Sequence, residues 1–242
     1  MSKYIVSFVL FVSFTVAHGQ QFFDGGIKNN IGTTVLVNEN VLSDVDKYKT
    51  RISLANATGL KLGFNFNESV QIVGEGYYGF FRQKFTIEDN GETKWDKEIS
   101  CMQIQVPILF RYNKDNGSYL EFGPQYTINN RIRETNSAQA EIDASTYYDK
   151  NYWAAIFSFG SYLMGWDNFG IASGIRLTYS FNDFISGQGG TANPDIFSYK
   201  AANYKPYKFT TPLSIGFVLE LNYDLGFMAK SPCTGRRSFL FF

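Results

Sequence analysis

The stretch Ile52–Phe85, ISLANATGLKLGFNFNESVQIVGEGYYGFFRQKF, decides the fold. In its first half Ile52, Leu54, Leu60, Leu62, Phe64 and Phe66 hold even positions, while Ser53, Ala55, Ala57, Gly59, Lys61, Gly63 and Asn65 hold odd ones. A period of two is the period of a β-strand. Taking Asn67-Glu68-Ser69 as a turn sets Phe66 against Val70. The apolar parity then continues through Ile72, Tyr78 and Phe80, with Gln71, Glu75, Tyr77 and Gly79 on the other face. Both arms agree on which face is greasy. Each runs for about 15 residues or more, where a tilted strand needs about 9–11 to cross a bilayer. The pattern predicts a transmembrane hairpin.

The same alternation recurs along the chain. Strand one is predicted from Ile27 to Val37, where Ile27, Ile31, Thr33, Val35 and Val37 alternate with Lys28, Asn30, Gly32 and Thr34. Strands two and three are the hairpin. Strand four, Ile99 to Tyr112, sets Met102, Ile104, Val106, Ile108, Phe110 and Tyr112 against Cys101, Gln103, Gln105, Pro107, Leu109 and Arg111. Pro107 has no N–H to give the ladder, which predicts a bulge or an unpaired site there. Strand five carries Leu120, Phe122, Tyr126 and Ile128 opposite Tyr119, Glu121, Gly123, Gln125, Thr127, Asn129 and Arg131. Strands six (Tyr152 to Leu163), seven (from Phe169 to Phe181) and eight (from Phe209 to Phe227) repeat the scheme.

The connections at Asn67–Ser69, Asn113–Ser118 and Gly165–Asn168 are short, and those after strands one, three, five and seven are longer, notably 134–151 and 182–208. Short turns at one end and long loops at the other are the asymmetry of an outer-membrane barrel, with the short turns and both chain ends on the periplasmic side. The predicted fold is an all-β, eight-stranded antiparallel up-and-down transmembrane β-barrel over residues 20–227. It follows a signal peptide, 1–19, in which Lys3 is the basic start, Tyr4 to Val16 the apolar core and Ala17-His18-Gly19 the cleavage site. A periplasmic C-terminal tail, 228–242, follows the barrel.

Composition agrees. Lys+Arg and Asp+Glu are equal at 22 each, so no net field favours nucleic acid. Charged residues are 18% of the chain and aromatics 18%, with 16 Tyr and 24 Phe, a balance that suits a lipid-facing surface with aromatic girdles. His18, the only histidine, leaves with the signal peptide. Nucleophile–His pairs and His-ligated metals go with it, so no enzyme, catalytic residue, metal site or cofactor is expected.

The predicted inner face carries few charges: Lys61, Glu75, Arg111, Glu121, Arg131, Arg176 and Glu220. With Glu68 and Asn116 central in the first two short turns, Lys61 faces Glu75 and Arg111 faces Glu121, two opposite-charge cross-strand pairs. A permeation path or a ligand site would use such groups. An eight-stranded lumen is narrow enough for side chains to fill, so they are expected to form a structural charge network. Cys101 sits near the external end and Cys233 beyond strand eight, about a bilayer apart, which predicts free thiols. Asn56-Ala57-Thr58, Asn67-Glu68-Ser69 and Asn116-Gly117-Ser118 are chance sequon matches. Phe227 and Phe242 compete as the aromatic barrel terminus, and the phase of strand eight favours Phe227.

Three segments carry a family likeness: Gly59-Leu60-Lys61-Leu62-Gly63-Phe64, Gln105-Val106-Pro107-Ile108-Leu109-Phe110-Arg111-Tyr112 and Tyr119-Leu120-Glu121-Phe122-Gly123-Pro124. Through them the chain, over roughly residues 22–227, resembles the outer-membrane β-barrel domain proteins of Bacteroidetes, with PorT-like and OmpX-like members. That resemblance implies the barrel and an envelope location, with secretion-machine accessories among the members. The expectation is a closed barrel whose partners are outer-membrane lipid and other envelope-complex subunits, acting as a structural or accessory protein. The rival is a soluble exported lipocalin-like barrel, which would place the apolar face inside, around a small apolar ligand.

Overall fold

The computed structural model describes residues 22–43, 48–89, 92–136, 139–166, 168–187 and 209–225. The predicted signal peptide, 1–19, together with Phe227, Cys233 and the expected tail, 228–242, lies outside the described residues. Ten strands form one antiparallel sheet: β1 (Phe22–Asn38), β2 (Tyr48–Arg51), β3 (Ala55–Asn65), β4 (Val70–Asp89), β5 (Glu92–Asn113), β6 (Ser118–Asn136), β7 (Gln139–Asp143), β8 (Asn151–Trp166), β9 (Phe169–Ser180) and β10 (Thr210–Asp224). A five-residue helix, α1 (Glu39–Ser43), follows β1.

Eight of these strands close a ring in the order β1-β3-β4-β5-β6-β8-β9-β10, and β10 pairs back to β1 with Lys28 opposite Glu220. Closure leaves the barrel without an open edge along its transmembrane height. The eight are the strands predicted from alternation. β2 and β7 are additions that alternation missed, being four and five residues long. They pair with the upper parts of β4 and β6, above the ends of β3 and β8, and with β5 they make a rim that rises past the rest of the barrel.

The turns carry the predicted chemistry. Phe66 N–H bonds the Val70 carbonyl, and the Asn67 side chain accepts from the amides of Ser69 and Val70, so an Asx-type turn closes β3 onto β4. Gly117, at φ 79°, takes the left-handed position in the β5–β6 turn. Pro107 opens the ladder as expected: β4 and β5 pair at Gly74–Ile108 and resume at Tyr77–Gln105, with the register unchanged.

The two faces separate sharply. Leu60 is 67% exposed and Phe217 53%, on the outside, whereas Arg111 and Glu121 are 0% exposed, inside. On β5 the outward residues from Met102 to Tyr112 are all apolar, and on β4 the apolar outer face runs from Val70 to Phe80 before Arg82. That height of about ten residues matches a bilayer. Aromatic pairs border it at both ends: Tyr126–Trp153 and Tyr179–Phe181 above, Phe23–Phe64 and Phe169–Tyr223 below. The apolar face therefore meets lipid, and the lipocalin-like alternative, which needs it inside, is overturned. No helix among the described residues is long and apolar enough to cross a membrane, so the crossing is made by strands.

Candidate functional site: the charge network in the lumen

Alternation aims one side chain in two at the barrel axis, and the ring brings together residues far apart in sequence. Seven of the eight ring strands contribute a charge to one connected cluster: Asp24 and Lys28 from β1, Lys61 from β3, Glu75 from β4, Arg111 from β5, Glu121 from β6, Arg176 from β9 and Glu220 from β10. Four cations meet four carboxylates.

Lys28 is the hub. Its ammonium bonds Glu75, lies 2.9 Å from Glu121 and 3.0 Å from Glu220. Arg111 forks between two carboxylates: Nη2 and Nε donate to Glu121 at 2.6 and 2.8 Å, Nη1 donates to Glu220 Oε1 at 2.9 Å, and Nη2 also bonds Glu220 Oε2. Arg176 donates to Glu75 at 2.7 Å and to Glu121 at 2.9 Å. Lys61 reaches Glu220 at 2.6 Å and Asp24 at 3.5 Å, and Gln71 donates to Asp24 at 2.7 Å. β8 lends no charge but supplies the Tyr162 hydroxyl, which accepts from Arg111 at 3.1 Å. The Arg111 guanidinium also lies 4.3 Å from the Tyr119 ring centroid, a cation–π contact.

Buried charge is tolerated only when paired and hydrogen-bonded, and here each ion has a partner of opposite sign. Small residues make the room. A Cβ at Gly160 or Gly174 would lie 2.6 or 2.7 Å from the Tyr119 hydroxyl, so the phenol occupies space that these glycines vacate.

Above the network the lumen changes character. A cavity of about 40 Å³, lined by Asn30, Gln103, Gln125, Tyr152 and Ser214 among others, has room for a few waters. Higher still, Leu36, Phe81, Phe85, Ile99, Cys101, Ile132 and Tyr152 pack against Val41 of α1 and loop residues Tyr148, Phe184 and Ile185. The Phe184 ring, fully buried, sits 4.9 Å from Tyr148 and 5.8 Å from Phe81. It closes the long-loop mouth of the barrel with apolar side chains. At its edge Lys97 bonds Glu134 at 2.9 Å, and the Tyr148 hydroxyl donates to the same carboxylate. Burial pushes the Lys97 ammonium down and the Tyr148 phenol well up from their ordinary ranges.

Six of the seven predicted charges, Lys61, Glu75, Arg111, Glu121, Arg176 and Glu220, come together. Arg131 does not. Met102 pairs with Arg131 but the next residue, Gln103, pairs with Asn129, so Asn130 is an extra residue that reverses the parity of β6. Asn129 stays inside, accepting from Gln103 at 2.9 Å, while Arg131 turns outward and Ile132 inward. Sequence reasoning missed Lys28 and Asp24. Lys28 shared the polar parity of strand one, which was the available signal; Asp24 precedes the predicted start of that strand. Cys101 is a free, buried thiol, as expected. Among the described residues no group of three or more His, Cys, Asp or Glu is placed to hold a metal ion.

No family model matches the sequence, and no curated protein does. Among solved structures the chain is similar to the outer membrane protein OprG from Pseudomonas aeruginosa, at 12% identity over 87% of this chain and 98% of that one, with a TM-score of 0.40. It is also similar to Neisserial surface protein A (6% identity, 85% and 99%, TM-score 0.40) and to Ail of Yersinia pestis (9% identity, 83% and 97%, TM-score 0.37). The barrel assignment stands on the closed ring of pairings, independently of these likenesses.

Proposed function

We propose that the chain is a closed outer-membrane barrel that serves as a scaffold or accessory subunit of an envelope complex, without pore or catalytic activity. One observation carries the closed reading: the lumen is crossed by a neutral set of ions paired with one another, with Arg111, Glu121, Lys28 and Glu220 all 0% exposed. A conducting pore needs charges facing water and free to meet passing ions. A catalytic pair needs a group free to take or give a proton, and these ions are committed to one another.

The apolar outer belt supports membrane residence, and the short turns below with the tall rim above support the orientation assigned from loop lengths. The Gln105–Tyr112 and Tyr119–Pro124 segments support kinship with Bacteroidetes barrels. The rim, reaching past the belt, is the surface available to other envelope subunits. The test is single-channel recording on the purified full chain in planar bilayers, together with mild-detergent pull-down from native membranes. The proposal expects no conductance steps and a stoichiometric set of co-purifying envelope proteins. Stable open-channel currents would overturn closure, and recovery of the barrel alone would overturn the accessory role.

A further inference from the structure

We propose that the outer face of β2, β4, β5 and β6, just beyond the apolar belt, is a docking surface for the phosphate groups of anionic lipids in the external leaflet. The proposal rests on the transmembrane reading above. The pairing register places its residues in rows. Arg51 of β2 faces Lys84 of β4, and Lys84 faces Glu98 of β5; one row nearer the belt, Arg82 faces Ser100, and Ser100 faces Arg133 of β6. Arg131 lies one row lower still, opposite Met102. The Arg82 and Lys84 rows are the first polar rows past Phe80 and Met102, and Arg131 stands at the edge of the belt in the Met102 row, which is headgroup depth.

The patch is cationic beyond what its own acids neutralise. Five cations, Arg51, Arg82, Lys84, Arg131 and Arg133, meet three carboxylates, Glu98, Glu141 and Asp143. Glu98 is shared, 2.9 Å from Lys84 and 3.9 Å from Arg82, whose side chains stay 52% and 57% exposed. Arg133 bonds Glu141, and the Asp143 carboxylate accepts from Ser145. Arg51 stands directly across from Lys84, and like charges so placed destabilise an antiparallel pair unless an anion lies between them.

Two further observations point the same way. The patch is one-sided: the described outer faces of β8, β9, β10 and β1 carry no charged side chain. And the bulge at Asn130 brings Arg131 out of the lumen into this sector, a local distortion that adds a guanidinium where a planar phosphate-binding fork is useful.

The experiment is electron spin resonance on the full chain in phosphatidylcholine vesicles carrying trace spin-labelled phosphatidylglycerol or spin-labelled phosphatidylcholine. The expected result is a motionally restricted lipid population that selects phosphatidylglycerol several-fold, less so at high salt. Selection should fall to parity in an Arg51→Gln, Arg82→Gln, Lys84→Gln, Arg131→Gln variant, and partway in Lys84→Gln and Arg131→Gln singly. Lys114→Gln, in a short turn at the opposite end, should leave it intact. Restricted lipid without selectivity, or selectivity that survives the fourfold variant, overturns the docking surface alone. Absence of any restricted lipid overturns the membrane reading and the docking surface with it.

Discussion

Lys61 lies directly across the β3–β4 hairpin from Glu75, yet its ammonium bonds Glu220, 2.6 Å away on β10. Glu75 is taken by Lys28 and Arg176 instead. In a narrow cylinder a long side chain reaches across the axis as easily as along the sheet, so strand register does not alone choose the partner: Arg111 bonds Glu121, which it faces, and Lys61 passes over the glutamate it faces. Each ion thereby serves several strands. Lys28→Met would leave Glu75, Glu121 and Glu220 short of one shared cation, and breaking a buried ion set by removing one member costs about 3–5 kcal/mol. Urea unfolding in lipid vesicles should show that loss, with partial recovery in Lys28→Met/Glu75→Gln. An unchanged midpoint would mean that the network does not hold the strands together.

The Tyr119 phenol fills the space above two glycines. A Cβ at Gly174 would stand 2.6 Å from the Phe159 carbonyl oxygen as well as 2.7 Å from the Tyr119 hydroxyl, and the backbone contact cannot be relieved by turning a side chain. Gly174→Ala is therefore expected to destabilise by about 1–3 kcal/mol, the ordinary penalty of overpacking. Gly76→Ala, with open space around its Cβ, should change little. Comparing the two urea midpoints tests the point.

Leu177 pairs with Phe157 on one side and Ile215 on the other, all three outward and apolar. Leu177→Arg sets a guanidinium in hydrocarbon and should cost about 2–4 kcal/mol. Leu225→Arg, one residue past the end of β10, should cost about 0–1 kcal/mol. Equal and small effects would place water, not lipid, against this face.

Tyr148 ties the segment before β8 to Glu134 of β6. Burial first, and the neighbouring Glu134 carboxylate second, raise its phenol well above the usual range. A folded-state value raised above the unfolded one gives stability that is full below the unfolded pKa, about 10 for tyrosine, and is lost as pH rises further. Protease cleavage near residue 148 should increase at strongly alkaline pH. In Tyr148→Phe the hydrogen bond is absent at all pH values, and this tyrosine's share of the alkaline loss should vanish.

Periodicity was enough for the eight ring strands, because one-sided lipid exposure imposes a period of two on most of each strand's length. It was enough for the two hairpin registers as well, since a short turn fixes the pairing on either side of it. It could not supply the axis-crossing partners of Lys61 and Lys28, which depend on ring closure through β1 and β10. Nor could it supply the apolar plug. Phe184, Ile185 and Tyr148 belong to segments that look like polar loops, and they are buried because the mouth of a closed barrel needs filling. Arg131 failed for a local reason, since one inserted residue inverts everything after it.

That inversion can be tested residue by residue. Unbroken alternation in β6 would keep Asn129, Arg131 and Arg133 on one face, whereas the bulge at Asn130 puts Asn129 and Ile132 inside, with Arg131 and Arg133 outside. In a Cys101→Ala, Cys233→Ala background, single cysteines at 131 and 133 should react quickly with a membrane-impermeant maleimide added to the external face. Cysteines at 129 and 132 should react only after unfolding. Asn129 accepts from Gln103 and donates to the Asp149 carbonyl at 2.6 Å, so this residue couples the bulge to the β6–β8 connection. Rapid labelling at 129, or protection at 131, would restore the simple alternation and return Arg131 to the lumen.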